Sequence, residues 1–215
     1  MDKINILAIG AHPDDIEIGC GGTIIKYADQ GHSVSLLIMT GGGQGGNAET
    51  RMREQEHSRQ IMGMEKVFWG GYEDTQLQVN QELVNKIEAV VKEVNPHFIF
   101  CHFPDDTHQD HRHLSLATQS AARNLRNVLF YEGPTTWGFS PQVFVNISDT
   151  LDRKIDALLA HRSQIDKTNI EDLSIVQIAH ASANFRGIQG RVKAAEGFVP
   201  LRLFINVNPK GECSI

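Results

Sequence analysis

The chain has 215 residues, of which 40% are hydrophobic and 21% charged, and its formal net charge is −6. A chain of this length and apolar content can bury a continuous core without needing a disulfide or a metal to fold. We therefore expect one domain over residues 1–215. An acidic surface repels phosphate backbones, so the charge balance argues against general nucleic-acid binding.

The sequence also argues against a membrane or secreted protein. The longest apolar stretches, such as 4–10 and 34–39, are much shorter than the about 20 residues of a membrane-spanning helix. The N-terminus shows no basic leader. The three cysteines, Cys20, Cys101 and Cys213, are far apart and include no CxxC pair, which argues against a disulfide framework or a cysteine zinc site. We expect a cytoplasmic protein with no membrane partner.

Predicted strands and helices alternate along most of the chain. The hydrophobic patterns predict strand 4–10, helix 23–30, strand 34–40, helix 49–63, strand 66–69, helix 82–94, strand 98–101, helix 114–125 and strand 128–131. The alternation then weakens, and the patterns predict strand 143–147, helix 149–161, a helical stretch at 172–184 and strand 202–206. This order predicts an α/β, Rossmann-like three-layer fold with a mostly parallel sheet. The functional site is expected at the carboxyl ends of the strands.

A polar segment, Ala11-His12-Pro13-Asp14-Asp15, follows directly after the first predicted strand. One imidazole and two carboxylates so close together are unfavourable unless a cation or a proton compensates them. His12 and Asp15 are therefore candidate metal ligands, with Asp14 left free as a base. A polar turn in which Asp15 caps the next helix explains the same residues without a metal.

A second cluster, with three histidines and three aspartates within residues 105–113, follows the predicted strand 98–101. Because the carboxyl ends of parallel strands meet at one edge of the sheet, the two clusters should lie close together. Together they supply a His, Asp and His donor set with a position open for water, as in catalytic zinc sites. Fe(II) oxygenases use the same donor set, but the free Asp14 favours hydrolysis over oxygen chemistry.

The two clusters resemble the signature motifs of the LmbE-like (PIG-L) deacetylases. The resemblance rests on residues 8–15 with 17–19, residues 108–111, and further matches at Arg53-Glu54, Asp74, Leu77, His161, Ser163-Gln164 and 195–198. It implies a metal-dependent hydrolase that removes an acetyl group from the amine of an N-acetylglucosamine-type sugar. The opening motif is most similar to the bacillithiol-type group, and the family resemblance also implies a homo-oligomer, either a trimer or a hexamer.

By position, the resemblance implies a zinc site formed by His12, Asp15 and His111. Fe²⁺ or another divalent ion is the alternative cofactor, since these ligands accept several metals. His113 is a competing histidine two residues further on. Side chains two residues apart on a helix point about 200° apart, so only one of these two histidines can face the ion. The motif spacing favours His111.

The resemblance also implies catalytic roles for three residues outside the ligand set. Asp14 would be the general base, and His108 would stabilise or protonate the transition state. Asp110 would orient His108 or its neighbour. Arg53 is a candidate substrate contact, with a salt-bridged helix residue beside nearby glutamates as the alternative interpretation.

Two other classes of function fit parts of the sequence. A metal-dependent phosphoesterase acting on a sugar phosphate would need two ions about 3.5–4 Å apart, and Asp105 and Asp106 are candidate ligands for the second. A non-catalytic nucleotide-binding module would suit the fold, but the chain lacks GxGxxG after its first strand and has no Walker lysine motif. The remaining histidines, including His102 and His161, are interpreted as packed or surface side chains.

Overall fold

The protein is built from strands that alternate with helices over most of its length. The structure, a computed structural model, describes residues 3–207 and 213–214. Its strands are β1 (Asn5–Gly10), β2 (Ser33–Thr40), β3 (Lys66–Tyr72), β4 (Phe98–His102), β5 (Val128–Tyr131), β6 (Val143–Asn146), β7 (Ala195–Arg202), β8 (Asn206–Val207) and β9 (Cys213–Ser214). Its helices are α1 (Asp15–Asp29), α2 (Ala48–Met62), α3 (Gln81–Val94), α4 (Gln109–Ala121), α5 (Leu151–Ala160) and α6 (Ile175–Gly190).

Seven of these strands form one sheet in the order β3-β2-β1-β4-β5-β7-β6. The pairs from β3 to β5 are parallel, whereas β7 pairs antiparallel with β5 and with β6. After β1 the chain continues to β2 on one side of β1, and after β4 it continues to β5 on the opposite side. The direction in which successive strands are added to the sheet therefore reverses between β1 and β4. In open α/β sheets the ligand site lies outside the carboxyl ends of the strands at such a point. The predicted mostly parallel α/β fold is confirmed.

Apolar layers cover both faces of the sheet, which gives the predicted three layers. On one face, Ile24 of α1 and Met62 of α2 belong to a buried cluster with Ile6 of β1. On the other face, Ile87 of α3 and Leu114 of α4 pack in a second buried cluster. Successive residues of a strand point to opposite faces, so a strand buried on both faces is apolar throughout.

Two helices begin earlier than the sequence predicts. Helix α1 starts at Asp15 rather than at residue 23, and α4 starts at Gln109 rather than at residue 114. The first turn of α4 consists of polar motif residues, and α1 contains Gly19, Gly21 and Gly22; both features hide the periodicity that marks an amphipathic helix. Helix α1 also contains a break at Cys20, whose φ of −145° and ψ of 16° are not helical.

The predicted strand 202–206 is wrong. The last strand of the sheet, β7, covers Ala195–Arg202, and the short β8 pairs with β9 outside the sheet. Glycine and proline are rare within strands, so Gly197 and Pro200 hide β7 in the sequence. Pairing on both sides, with β5 and with β6, stabilises β7 despite them.

Within the described residues, no helix combines the length and the apolar character that a membrane crossing requires. Cys20 and Cys101 are buried free thiols, whereas the side chain of Cys213 lies outside the described part of the chain.

Candidate metal centre

Two polar segments meet where β1 and β4 end. His12 lies in the turn between β1 and α1, and His111 lies in the first turn of α4. The centroids of the two imidazole rings are 5.4 Å apart. Both residues are buried, with exposed fractions of 7% and 6%. The strand order therefore brings together two histidines that are far apart in the sequence.

Three donor groups converge between these segments. His12 Nδ1 lies 3.3 Å from Asp15 Oδ2 and 3.4 Å from His111 Nε2. His111 Nε2 lies 3.4 Å from the other carboxylate oxygen, Asp15 Oδ1. The ligand atoms of a tetrahedral zinc with bonds of about 2.0–2.1 Å are about 3.3–3.4 Å apart. One nitrogen from each histidine and the two oxygens of the Asp15 carboxylate thus surround a common position at distances that suit a divalent cation.

Carboxylates lie behind both imidazoles, on the ring nitrogens that face away from the converging donors. His12 Nε2 is 2.9 Å from Asp74 Oδ1 and 3.3 Å from Asp110 Oδ2. His111 Nδ1 is 3.3 Å from Asp106 Oδ2. At metal sites, such partners fix the orientation of a histidine ligand and make its metal-facing nitrogen more basic.

The same carboxylates stabilise positive charge at this position. Burial lowers the pKa of His111, but Asp15 and Asp106 outweigh it and raise the pKa to about 9. The pKa of His12 is raised well above its usual value because Asp110, Asp15 and Asp74 outweigh the opposing effect of burial. Protons on the two rings or a bound cation can supply the positive charge that these carboxylates favour.

Asp14 directly precedes the converging Asp15 and has an uncommon backbone conformation. Its φ of 95° and ψ of −22° place it in the left-handed region. Burial raises the pKa of the Asp14 carboxyl to about 6, although the Arg51 guanidinium opposes the shift. Arg51 Nη2 lies 3.5 Å from Asp14 Oδ2 and donates a hydrogen bond to the Pro13 carbonyl at 2.7 Å. A carboxylate whose pKa lies near neutrality is suited to accept a proton.

His108 lies on the open side of the cluster. Its ring centroid is 4.7 Å from that of His12 and 4.6 Å from that of His111, and the residue is only half-buried. His108 Nδ1 accepts a hydrogen bond from the Asp110 backbone amide at 3.2 Å, which leaves Nε2 as the donor of the neutral ring. Burial and the neighbouring His111 lower the pKa of His108.

Asp110 faces His12 rather than His108, and it also holds the loop that follows β3. The Asp110 carboxylate accepts hydrogen bonds from the Thr75 amide at 2.8 Å and from the Leu77 amide at 3.3 Å. The predicted orienting residue therefore lies behind the ring of a predicted ligand. His113 lies outside the cluster, with its Nδ1 2.6 Å from the Leu77 carbonyl oxygen.

His102, the last residue of β4, also lies in the centre. The sequence does not predict this location for His102. Its ring stacks on that of His111 with centroids 3.9 Å apart, and its Nε2 lies 3.2 Å from Asp15 Oδ2. His102 Nε2 accepts a hydrogen bond from the Ala11 amide, and burial lowers the pKa of the ring to about 4. Its position at the end of a strand next to β1 is the signal that indicates this location.

The structure does not bring Arg53 to the cluster. Arg53 is exposed, and its Nη2 donates to Thr50 Oγ1 on the same helix at 3.2 Å. Arg51 precedes it by two residues and so points to another side of α2. Arg51 is the buried arginine of the site and donates through Nη1 to the Gly42 carbonyl at 2.8 Å. The contact between Arg53 and a substrate stays a prediction.

Asp105 and Asp106, the candidate ligands for the second ion of a phosphoesterase, do not converge on a second metal position. Asp105 is exposed. Asp106 is directed at His111 and accepts a hydrogen bond from Thr136 Oγ1 at 2.9 Å. The arrangement of these two aspartates therefore offers no support for that alternative.

The fold and the centre together define a class of protein: an α/β protein with a candidate His/Asp metal centre where the strand order of its sheet reverses. The family model described as PIG-L, GlcNAc-PI de-N-acetylase, matches residues 7–122, which include both polar segments. The chain belongs to the PIG-L family.

Proteins similar to the chain carry deacetylase names. An uncharacterised deacetylase of Escherichia coli, YaiS, is 34% identical over 74% of this chain and 90% of its own length. A probable N-acetyl-α-D-glucosaminyl L-malate deacetylase 2 of Bacillus cereus is 30% identical over 75% of this chain and 84% of its own length. The N,N'-diacetylchitobiose deacetylase of Pyrococcus horikoshii superposes with a TM-score of 0.83 at 26% identity, over 93% of this chain and 84% of that chain.

Proposed function

We propose that this protein is a zinc-dependent N-deacetylase that hydrolyses the acetamide of an N-acetylglucosamine-type sugar or sugar conjugate. The observation that carries the proposal is the convergence of His12 Nδ1, His111 Nε2 and the Asp15 carboxylate, with Asp14 directly before Asp15 in the chain. The relatives support the reaction and the substrate class, because two of them are named for deacetylating N-acetylglucosamine-containing compounds.

The residues of the centre fit the steps of amide hydrolysis. Zinc held by His12, Asp15 and His111 would polarise the amide carbonyl and lower the pKa of a water toward about 7. Asp14 accepts the proton of the attacking water as the oxygen bonds to the carbonyl carbon. Asp14 then returns this proton to the amide nitrogen when the C–N bond breaks, which releases acetate and the free amine.

His108 stabilises the charge that develops on the carbonyl oxygen. Its lowered pKa favours the neutral ring, and its Nδ1 is already an acceptor for the Asp110 amide. The remaining N–H, on Nε2, is therefore available to the oxyanion as a preorganised hydrogen-bond donor. The proposed donor is thus the neutral His108 ring and not the imidazolium that protonation of His108 would give.

The test is an amine-release assay across a panel of N-acetylated sugars, with fluorescamine as the detector. Protein treated with chelator should be inactive, and zinc should restore activity with one ion per chain. A panel without chelator-sensitive amine release would contradict the proposal, and two tightly bound ions per chain would favour the phosphoesterase. Arg53→Ala should raise KM without lowering kcat if Arg53 contacts the sugar.

Substitution of the base separates chemistry from metal binding. We expect Asp14→Asn to lower kcat by about 10²–10⁴-fold, since a positioned general base contributes a factor of this size. Its zinc content should equal that of the wild type because Asp14 is not one of the three converging donors. A variant with wild-type turnover at full zinc occupancy would show that another group is the base.

The homo-oligomeric state that the resemblance implies, a trimer or a hexamer, and the cytoplasmic location expected from the sequence stay predictions. Light scattering coupled to size-exclusion chromatography tests the first of them.

A further inference from the structure

Helix α2 packs toward the centre with a polar face. Its buried residues are Arg51, Gln55, Ser58 and Met62, which recur every three or four positions and so share one side of the helix. Three of the four are polar, although burying polar groups is unfavourable unless each finds a partner. The partners of this face therefore indicate what it holds in place.

Gln55 connects the backbone of Asp14 to a buried carboxylate. Its Oε1 accepts a hydrogen bond from the Asp14 amide at 3.3 Å, and its Nε2 donates to Glu17 Oε1 at 2.6 Å. Gln55 and Glu17 are both fully buried. Glu17 Oε1 also accepts from Ser58 Oγ at 2.5 Å and lies 3.3 Å from His161 Nε2. Since the carboxylate accepts only, the Gln55 amide has one orientation, with its oxygen toward Asp14.

The backbone that Gln55 contacts is strained. A residue other than glycine rarely adopts the φ of 95° seen at Asp14, and such a conformation persists only where the surroundings hold it. Asp14 is the N-cap residue of α1, yet its side chain makes no capping hydrogen bond. An aspartate at this position ordinarily uses its carboxylate to cap the helix. The unusual backbone is thus associated with a carboxylate that does not cap α1 and instead has Arg51 Nη2 as its neighbour at 3.5 Å.

We propose that Gln55 is a positioning residue, which keeps the Asp14 backbone in the conformation that leaves its carboxylate free to act on water. The proposal rests on the proposed function, in which Asp14 is the general base. Glu17 fixes the Gln55 amide, and Gln55 transmits that constraint to Asp14. The buried polar face of α2 is then explained as support for the turn between β1 and α1.

Gln55→Met is the direct test, because methionine is similar in length but forms neither hydrogen bond. We expect kcat to fall by about 10–100-fold, the range for partners that orient a catalytic site, while KM and zinc content stay at wild-type values. Met62→Ala is the matched control on the same buried face. It should lower Tm at least as much as Gln55→Met but leave kcat unchanged.

An exchange of the two side chains provides a second test that does not depend on packing. Gln55→Glu alone places two carboxylates side by side and should lower kcat strongly. Adding Glu17→Gln restores an amide that donates and a carboxylate that accepts from the Asp14 amide. We expect the double variant to recover most of the lost kcat, a coupling that two independent structural defects would not show.

The outcomes separate this proposal from the function it rests on. Wild-type kcat in Gln55→Met, together with loss of activity in Asp14→Asn, would overturn the positioning role and leave the base assignment intact. Equal losses of kcat in Gln55→Met and Met62→Ala would also overturn it, as would a double variant no better than Gln55→Glu. Wild-type turnover in Asp14→Asn would instead refute the proposed function.

Discussion

Two clusters of buried charge flank helix α1, and they differ in how their charges are satisfied. One is the candidate metal centre at the start of the helix. The other is an ion pair between Lys154 of α5 and Glu196 of β7, with exposed fractions of 3% and 4%. Lys154 Nζ lies 2.6 Å from Glu196 Oε1. The charged side chains of both clusters are largely buried, so burial alone does not distinguish a functional site from a structural one.

The ion pair fills the break in α1. In a continuous α-helix the Gly22 amide would donate to the Ile18 carbonyl, four residues earlier. Here the Ile18 carbonyl accepts from Lys154 Nζ at 2.8 Å, and Glu196 accepts from the Gly22 amide at 2.9 Å and the Thr23 amide at 2.7 Å. Every charge thus meets a complementary group of the protein itself, and the cluster is closed.

The metal centre has the opposite organisation. Its imidazole nitrogens face each other, His12 Nδ1 and His111 Nε2, and both also face the carboxylate of Asp15. Two imidazole nitrogens and a carboxylate converge there on a common point, and a single bound cation would satisfy all three groups at once. The comparison indicates that the matching of donors and acceptors, rather than burial of charge, marks the position where a ligand completes the structure.

The largest effect should come from removing one converging donor. We expect His111→Ala to lose bound zinc and to reduce amine release to the level of chelator-treated protein, because two ligands remain of three. Elemental analysis of the purified variant and the amine-release assay measure both. Full zinc occupancy in this variant would contradict the contrast between the two clusters, because the converging groups would then not be the zinc ligands.

Breaking the closed cluster should affect stability instead. We expect Lys154→Ala to lower the free energy of unfolding by about 3–5 kcal/mol, because Glu196 is left buried without its counter-ion. Denaturant titration measures the loss, and the zinc content of the folded fraction should not change. If the zinc content fell as far as in His111→Ala, the two clusters would not be functionally distinct.

A smaller effect is expected for the carboxylates that stand behind the ligands. Asp106→Asn keeps the shape of the side chain but removes the charge beside His111 Nδ1. Loss of such a partner lowers metal affinity or activity by about 10–100-fold. Competition with a zinc-binding dye measures the affinity. An unchanged affinity would show that the carboxylate contributes only to packing.

The sequence predicts the two polar segments and their meeting point for a physical reason. Each segment follows a strand that is apolar throughout, and parallel strands carry their following loops to one edge of the sheet. Asp74 follows β3, another parallel strand, and reaches the same edge for the same reason. Gln55 is not predictable in this way, because it lies within a helix whose composition resembles that of a solvated one.

Contacts between elements that are far apart in the chain are not predictable from the sequence patterns. The contact between Lys154 and Glu196 requires β7 to lie in the sheet, and Gly197 and Pro200 conceal β7 in the sequence. The break at Cys20 is equally hidden, because it depends on a lysine and a glutamate from two other elements. Local periodicity predicts elements, whereas such breaks depend on tertiary partners.

The smallest effect is expected from an exposed pair that repeats the chemistry of the buried one. Lys26 Nζ lies 2.8 Å from Asp149 Oδ1 and donates to the Asn146 carbonyl at 2.8 Å, so it contacts a carboxylate and a backbone oxygen as Lys154 does. Water solvates both partners when this pair is broken, and exposed pairs contribute about 0–1 kcal/mol. Lys26→Ala should therefore change the free energy of unfolding by less than about 1 kcal/mol, and high salt should abolish the difference. A loss as large as that of Lys154→Ala would mean that the contact pattern, rather than desolvation of the unpaired partner, determines the stability of the closed cluster.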